Sequence, residues 1–325
     1  MSETSKSLLS VRELAIEFKT ENGVARAVDH ISFELAEGET VGIVGESGCG
    51  KSVTALSILR LIPSPPGRIS HGQILFDGID LASNSEREMR KIRGNQISMI
   101  FQEPMTALNP VYTIGSQLTE VLRLHKQLKQ KEAREEAVRM LETVDIESPA
   151  KRLDEYPHQL SGGMRQRVMI AMALSCNPRL LIADEPTTAL DVTVQAQVME
   201  EINKLQKQFQ MGVILITHDL GVIAESCQKV IVMYCGKIVE IAPTKELFRN
   251  PQHPYTKGLL HSIPRIRKEK IDRLPTIRGT VPDIQNLPQG CRFADRCPKV
   301  SDRCRDQYPE LTHEATRSVA CYHPG

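Results

Sequence analysis

The sequence lacks three features, each of which would assign it to a particular class of protein. It has no run of about 18 apolar residues, the length of a helix that crosses a bilayer, so we expect no membrane span. Its net charge is only +1, which favours neither bulk nucleic-acid binding nor a polybasic membrane anchor. The first residues contain no apolar segment followed by a cleavage site, and we therefore expect no secretion.

What remains is the composition of an ordinary soluble globular protein, with 40% hydrophobic and 25% charged residues. A length of 325 residues exceeds one average domain and predicts one large domain with an appendage. Eight cysteines without a secretion signal indicate a reducing compartment, where metal-binding or catalytic thiols are favoured over disulfides. We therefore expect a cytosolic protein.

One glycine-rich segment fits the phosphate-loop pattern G-x-x-x-x-G-K-[ST] without a mismatch. The apolar run 40–44 before it predicts a buried strand, and residues 52–59 after it predict a helix with an apolar face. Main-chain N–H groups and the positive end of the helix dipole then face the phosphate oxygens. Lys51 is placed to reach the β- and γ-phosphates, and the Ser52 hydroxyl to bind Mg²⁺. The candidate nucleotide-binding residues of this loop are Gly45, Glu46, Ser47, Gly48, Cys49, Gly50, Lys51 and Ser52.

A second apolar run, 180–183, is followed by two carboxylates. Beside a phosphate loop, Asp184 would supply a further ligand for Mg²⁺. Glu185 is placed to polarise the attacking water as a general base. Taken alone, this segment is equally typical of a core strand that meets a polar loop.

The chain alternates between strand-like and helical segments. Short strands are predicted at 8–18, 27–35 and 95–101, and a helical subdomain is predicted from the proline-free stretch 114–143. Strand signals return at 180–184, 213–217 and 230–234, between helical segments, which favours a parallel sheet with crossover helices. Residues 265–270 are predicted to be a solvated linker, with a binding patch as the weaker alternative.

The octet Leu160-Ser161-Gly162-Gly163-Met164-Arg165-Gln166-Arg167 opens a long helical stretch. Ser161 can cap that helix, while Gly162 and Gly163 expose N–H groups at its positive end, a site suited to a γ-phosphate. The octet resembles the signature motif of ATP-binding-cassette (ABC) ATPases. In that family two cassettes face each other head to tail, so that the phosphate loop of one and the signature serine of the other clamp one ATP.

The remaining motifs resemble the same family in the same order, over residues 8–245. Gln102 resembles the Q-loop glutamine, which senses Mg²⁺ and the transport partner, and His218 resembles the switch histidine that contacts the γ-phosphate. Residues 188–191 resemble the D-loop, which includes Asp191. Phe18 is our choice for the aromatic that stacks on adenine, with Phe33 as the competing choice. Every expected catalytic position is filled, which implies a competent ATPase.

Three segments narrow the resemblance to one branch of the ABC ATPases. Residues 101–110 resemble the extended Q-loop of peptide-importer ATPases, and residues 253–260 resemble the segment that follows the cassette in that branch. The cysteine-bearing tail at 291–321 completes the pattern. The chain thus resembles, nearly end to end, the ATP-binding subunits of bacterial dipeptide and oligopeptide importers. Related nickel importers share parts of the pattern.

The four tail cysteines have the spacing C-x5-C-x6-C-x16-C and are Cys291, Cys297, Cys304 and Cys321. Four thiolates fit tetrahedral Zn²⁺ or a [4Fe–4S] cluster, and the spacing does not choose between them. Bare thiols or disulfides are the third alternative. The resemblance favours the [4Fe–4S] cluster, in a structural role, because members of this branch carry one at such cysteines. The thiols at 176, 227 and 235 are predicted to be small buried hydrophobes.

The fold implied by the resemblance is the α/β P-loop NTPase fold of an ABC cassette. It comprises a mixed sheet core, an antiparallel β-subdomain, an inserted helical subdomain and a small cysteine-rich C-terminal extension. We expect the nucleotide-binding domain at 1–250, with its helical subdomain at about 103–165, and the extension at 251–325.

The implied activity is hydrolysis of ATP, with Mg²⁺, to power import of di- and oligopeptides. The implied partners are a second homologous ABC ATPase subunit, two transmembrane permease subunits and, through the permease, an extracytoplasmic peptide-binding protein. No nucleic acid is expected. The chain would act as a peripheral protein on the cytoplasmic face of the inner membrane.

Three alternatives remain. One is import of nickel or another solute. Another is a soluble ABC ATPase acting on ribosomes or DNA, although such proteins usually have two cassettes in one chain or a long coiled-coil insertion. The last is a metal-sensing regulator with the tail as sensor.

Overall fold

The computed structural model of the protein describes residues 7–102, 107–187, 192–263 and 276–325, with the backbone alone at 192–194. The chain forms two compact units. The phosphate-loop unit comprises Ser7–Leu35, Thr40–Ala82 and Thr217–Gly325. The helical unit comprises Ala36–Glu39 and Ser83–Ile216. Both units therefore combine segments that are far apart in the sequence.

The strands and helices follow one another along the chain much as the alternating pattern predicts. The strands are β1 Ser7–Thr20, β2 Gly23–Ala36, β3 Thr40–Val44, β4 Gly67–Phe76, β5 Ile79–Asp80, β6 Ile97–Ile100, β7 Leu180–Asp184, β8 Gly212–Ile216, β9 Lys229–Tyr234, β10 Lys237–Pro243, β11 Thr312–Glu314 and β12 Arg317–Val319. The α-helices are α1 Lys51–Ile58, α2 Glu86–Ile92, α3 Ile114–Lys126, α4 Gln130–Thr143, α5 Pro149–Arg152, α6 Gly162–Leu174, α7 Val192–Phe209, α8 Leu220–Ser226, α9 Thr244–Arg249, α10 Pro254–His261 and α11 Asp302–Asp306.

The phosphate-loop unit contains an antiparallel sheet in the order β2-β1-β4-β5. Gly23 lies at φ 126° where β1 turns into β2, a conformation that glycine adopts without strain. Ile16, Ile74 and Phe76 are fully buried on these strands, so one face of this sheet forms a core. The antiparallel β-subdomain of the expected fold is therefore present.

The same unit contains a mixed sheet in the order β11-β12-β10-β9-β3. β3 runs parallel to β9, with Val41 opposite Lys229, while β10 is antiparallel to both β9 and β12. Every residue of β3 is buried, as expected for a strand covered on both faces. The last two strands of the chain thus extend the sheet whose β3 leads into the phosphate loop.

A buried acid joins the start of the C-terminal extension to this sheet. Glu240 on β10 is fully buried and accepts hydrogen bonds from the N–H groups of Gln252 and His253, both at 2.9 Å. The His253 imidazole caps α10 by accepting the N–H of Tyr255 at 3.0 Å. Burial lowers the pKa of His253 to about 3, so the ring stays neutral and able to accept that bond.

The helical unit is built on three parallel strands in the order β8-β7-β6, and α6 packs against β6. α3 and α4 pack against each other, and α4 packs against α6. Gln127 ends α3 at φ 56°, in the left-handed region. The predicted helical stretch 114–143 is therefore two helices with a break at 127–129.

Across the described ranges, no helix combines the length and the apolar character needed to cross a membrane.

Candidate functional site

The phosphate loop joins β3 to α1 through two glycines that no other residue could replace without strain. Gly45 has φ 155°, and a Cβ there would lie 2.2 Å from the Met233 carbonyl oxygen. Gly50, which precedes α1, has φ 101°, and a Cβ there would lie 2.6 Å from the Ala27 oxygen. The first turn of α1 carries no acidic residue, so no carboxylate of the helix itself opposes an anion at its positive end. The loop is built as an anion site.

Lys51 points its ammonium group into this loop. Its Nζ donates to the carbonyl oxygens of Gly45 at 2.8 Å and Glu46 at 3.0 Å, and lies 3.7 Å from the sulfur of Cys49. Cys49 is only 1% exposed, and burial raises the pKa of its thiol despite the neighbouring ammonium. Cys49 is therefore a packed, neutral part of the loop, and Lys51 is its positive charge.

Two residues from the C-terminal part of the chain hold Glu46, and the sequence reasoning gave neither of them a role. The Tyr255 hydroxyl accepts the main-chain N–H of Glu46 at 2.8 Å. The Arg296 guanidinium donates to both carboxylate oxygens of Glu46, at 2.6 and 2.9 Å. These partners lie 209 and 250 residues further along the chain, so no local sequence signal could have identified them.

His218 lies in the loop after β8, and its side chain is exposed. The loop is shaped around it: Thr217 accepts the N–H of Asp219 at 3.0 Å, and the Asp219 carboxylate caps α8 by accepting the N–H of Gly221 at 2.8 Å. His218 therefore lies on a hydrogen-bonded turn, and its contact with a γ-phosphate stays a prediction.

The two candidate adenine-stacking rings differ in exposure. Phe33 is 6% exposed and belongs to the core, whereas Phe18 is half-buried near the end of β1. Phe18 packs beside Gly67, where a Cβ would lie 2.8 Å from the ring. Of the two, only Phe18 is partly exposed, so it remains our choice for the adenine-stacking aromatic.

In the helical unit, the two acids after the apolar run occupy the end of β7. Asp184 is its last residue and is 4% exposed. Glu185 follows at φ 47°, a costly conformation for a glutamate, and its N–H donates to the Ile216 oxygen at 2.8 Å. The side-chain amide of Gln102 donates to the Glu185 carboxylate at 3.2 Å. The structure thus places Gln102 against Glu185, a pairing the sequence reasoning did not predict.

The helix that the signature octet opens begins at Gly162, with Ser161 as its cap, as predicted. The Ser161 hydroxyl accepts the N–H of Met164 at 3.3 Å and caps α6, whose first turn carries no acidic residue. Gly162 has open space around the position of a Cβ. Gln166, fully buried one turn later, donates to the Pro186 oxygen and so links α6 to the segment carrying Glu185. Asp191 and residues 103–106 of the extended Q-loop lie outside the described residues.

The four tail cysteines are all free thiols. Burial, together with the three other cysteines, raises the pKa of Cys291 to about 11. The sulfur of Cys297 accepts the N–H of Lys299 at 3.4 Å, and that of Cys321 accepts the N–H of His323 at 3.3 Å. Among the described residues, no group of three or more His, Cys, Asp or Glu side chains could hold a metal ion. The four-cysteine site therefore stays a prediction.

Comparison with known proteins gives two family matches. Residues 28–188 match the ABC transporter family, and residues 239–304 match the C-terminal region of oligopeptide/dipeptide transporters. The chain is 56% identical over 317 residues to the oligopeptide transport ATP-binding protein AppD of Bacillus subtilis, covering 97% of this chain and 96% of that protein. It is 52% identical to the dipeptide transport ATP-binding protein DppD of the same species, covering 98% and 95% of the two chains.

Among solved structures, the chain is similar to the ATP-binding cassette MJ0796, in a dimer bound to ADP and Pi after hydrolysis. The TM-score is 0.65 at 28% sequence identity, and the match covers 73% of this chain and 98% of that one. The chain is also similar to cbiO1 from Clostridium perfringens, part of the ABC transporter complex cbiONQ. The TM-score is 0.63 at 28% identity, and the match covers 75% of this chain and 91% of that one.

Proposed function

Since this chain belongs to the ABC transporter family, in its oligopeptide and dipeptide branch, we propose a role in ATP hydrolysis for each of its sequence motifs. The chain is an ATPase that uses ATP and Mg²⁺ and powers the import of peptides. The nickel-import and non-transport alternatives are not favoured, because the relatives are peptide transport proteins over nearly the whole chain. The roles of individual residues are our proposal.

The observation that carries this proposal is the phosphate loop itself. Its strained glycines, its acid-free helix start and the inward-pointing Lys51 together form a cradle for phosphate oxygens. We assign the phosphates of ATP to residues 45–52 and the adenine ring to Phe18. In the facing cassette, the same nucleotide would meet Ser161, Gly162 and Gly163, with Asp191 beside them.

The implied metal ion fits the donor set that the chain offers. Ser52, Asp184 and Gln102 provide hydroxyl, carboxylate and amide oxygens, which are the ligands that Mg²⁺ prefers in proteins. When bound, Mg²⁺ would neutralise part of the phosphate charge. We propose these three residues as its protein contacts.

The chain's own residues then divide the catalytic work. Glu185 would take the proton of the attacking water, and the Gln102 amide, 3.2 Å away, would fix the orientation of that carboxylate. His218 would contact the γ-phosphate from its exposed loop. The left-handed backbone at Glu185 is consistent with a site that holds its base in one direction.

The proposed assembly contains four further components: a second homologous ATPase subunit, two permease subunits and an extracytoplasmic peptide-binding protein reached through the permease. The chain would dock peripherally on the cytoplasmic face of the inner membrane, and nucleic acid has no part in the proposal. ATP binding would close the two cassettes, and hydrolysis at Glu185 would reopen them.

Within the chain, we propose a nucleotide-binding domain at 1–250 with a helical subdomain at about 103–165. The extension at 251–325 would use Cys291, Cys297, Cys304 and Cys321 to hold a [4Fe–4S] cluster, with Zn²⁺ as the alternative. The described side chains form no group that could hold a metal ion, so this proposal rests on donor chemistry, since thiolates bind either group. The main-chain N–H groups at 299 and 323, which donate to two of the sulfurs, would stabilise thiolates there.

Visible absorption of anaerobically purified protein tests the tail assignment. We expect a broad band near about 400 nm with roughly four irons per chain, and we expect Cys297→Ser to abolish both. Cys176→Ser is the matched control, because this buried thiol lies outside the tail and should leave the colour unchanged. A colourless wild-type protein, with or without zinc, would contradict the cluster while leaving the ATPase assignment intact.

Peptide uptake tests the transport function. In the source strain, deletion of the gene is expected to abolish uptake of a labelled di- or oligopeptide. The wild-type gene should restore uptake, and so should Lys245→Ala, which changes an exposed lysine of α9. Loss of nickel uptake with unchanged peptide uptake would instead support the other solute class.

A further inference from the structure

A salt bridge joins the phosphate loop to the tail. Arg296 donates through its two terminal nitrogens to the two carboxylate oxygens of Glu46, at 2.6 and 2.9 Å. The Arg296 side chain is only 5% exposed, and that of Glu46 is 28% exposed. A bidentate salt bridge of this kind fixes the relative orientation of the two side chains as well as their distance, since the planar guanidinium matches the carboxylate edge.

Arg296 is itself held in place by contacts with several parts of the phosphate-loop unit. It ends the 3₁₀ turn Ala294–Arg296, immediately before Cys297. Its Nε donates to the Arg278 oxygen at 2.9 Å, and a terminal nitrogen donates to the Tyr234 hydroxyl at 3.2 Å. The guanidinium also lies 5.8 Å from the ring centre of Phe293. These contacts fix the position of the Arg296 guanidinium beside the phosphate loop.

The main chain of Glu46 is held from the same side. The Tyr255 hydroxyl accepts its N–H at 2.8 Å, and Tyr255 is fully buried. The centre of its ring lies 4.6 Å from the ring centre of Tyr234 and 5.4 Å from that of Phe293. Burial raises the pKa of Tyr255, so the phenol remains protonated. Both the backbone and the side chain of Glu46 are thus fixed by residues that follow β10 in the chain.

The salt bridge matters for nucleotide binding because Glu46 carries a negative charge in the phosphate loop. A carboxylate in a loop that receives phosphates repels them, and the repulsion strengthens in a partly dehydrated site. The nearby Lys51 donates to main-chain oxygens of the loop, whereas Arg296 pairs with the Glu46 carboxylate directly. Arg296 therefore neutralises the Glu46 carboxylate and also fixes its position.

We propose that Arg296 is a positioning residue for nucleotide binding: by pairing with Glu46, it holds the phosphate loop in its binding conformation and cancels a charge that would repel the phosphates. The inference rests on the proposed function of the loop as the ATP site. It makes the tail a structural part of the nucleotide site.

The test is the dissociation constant of MgADP, measured by titration calorimetry on the full-length protein. Arg296→Met keeps the length of the side chain but removes its charge, and we expect affinity to fall about tenfold or more. Adding Glu46→Gln to Arg296→Met removes the unpaired carboxylate, and we expect at least about fivefold of that affinity to return. Such rescue distinguishes positioning through Glu46 from general damage to the fold.

Two further variants complete the test. Arg305→Met removes another tail arginine, whose salt bridge with Asp295 is on the surface, and should bind MgADP as the wild type does. If Arg296→Met does not fold, Arg296→Lys keeps the charge without the bidentate geometry. The affinity of this variant for MgADP should fall about threefold. Wild-type affinity in both Arg296 variants, or no recovery in the double variant, would overturn the inference. Failure of the wild type to bind MgADP would overturn the proposed function itself.

Discussion

Replacing Glu185 by glutamine is expected to lower steady-state ATP turnover by about a hundredfold or more, because a positioned general base contributes at least that factor. Glutamine has nearly the same shape and can occupy the same left-handed backbone, so the site should still form. Its amide cannot accept the proton of the attacking water. ATP should therefore remain bound between two closed cassettes, which size-exclusion chromatography with labelled ATP would detect as a stable dimer.

Glu200→Gln is the matched control, since this glutamate is exposed on α7. It should retain wild-type turnover and show no trapped dimer. Unimpaired turnover in the Glu185→Gln protein would contradict the assignment of the base. It would also remove the significance we attach to the hydrogen bond from Gln102.

Replacing Lys51 by alanine is expected to weaken ATP binding by about a hundredfold or more and to abolish measurable turnover. The ammonium would exchange its two main-chain contacts in the loop for charge-assisted hydrogen bonds to phosphate, each contributing about 1.5–3 kcal/mol. Two such bonds correspond to a factor of about a hundred or more in the dissociation constant. Fluorescence titration with a labelled nucleotide would measure the loss.

Because Lys51 also ties the loop's own carbonyl groups together, the melting temperature of the variant without nucleotide has to be recorded as well. A small shift with a large loss of affinity would assign the effect to phosphate contact. Lys245→Ala serves as the control for removal of a lysine at an exposed position. ATP affinity close to wild type in Lys51→Ala would contradict the identification of the loop.

The parts of the site that the sequence predicted are those encoded by adjacent residues. The loop around Lys51, the acids that end β7 and the Ser161 cap each depend on a strand or helix boundary and a few neighbouring side chains. Such boundaries follow from local periodicity and capping chemistry. The structure confirms β7 at Leu180–Asp184 and the start of α6 at Gly162.

The parts that the sequence did not predict depend on distant partners. β4 carries a glycine at φ 92° and no clear alternation, and its strand conformation is fixed by antiparallel pairing with β1. The break between α3 and α4 has no proline or glycine to mark it, since Gln127 takes the left-handed conformation. Arg296 would be an ordinary tail arginine if its position relative to Glu46 were not known. Sequence pattern carries no information about such pairings.

The pairing of β3 with β9 also has a consequence for how the protein is made. The N–H of Thr40 at the start of β3 bonds to Gln228, 188 residues later in synthesis, and the salt bridge of Glu46 waits for a residue 250 positions on. During translation the phosphate loop is therefore synthesised long before β9 and Arg296, which support it. Contacts so distant in sequence form slowly, because a long loop must close before they stabilise anything. We expect nascent and truncated chains to lack nucleotide affinity, so that only a finished chain can compete for ATP in the cell.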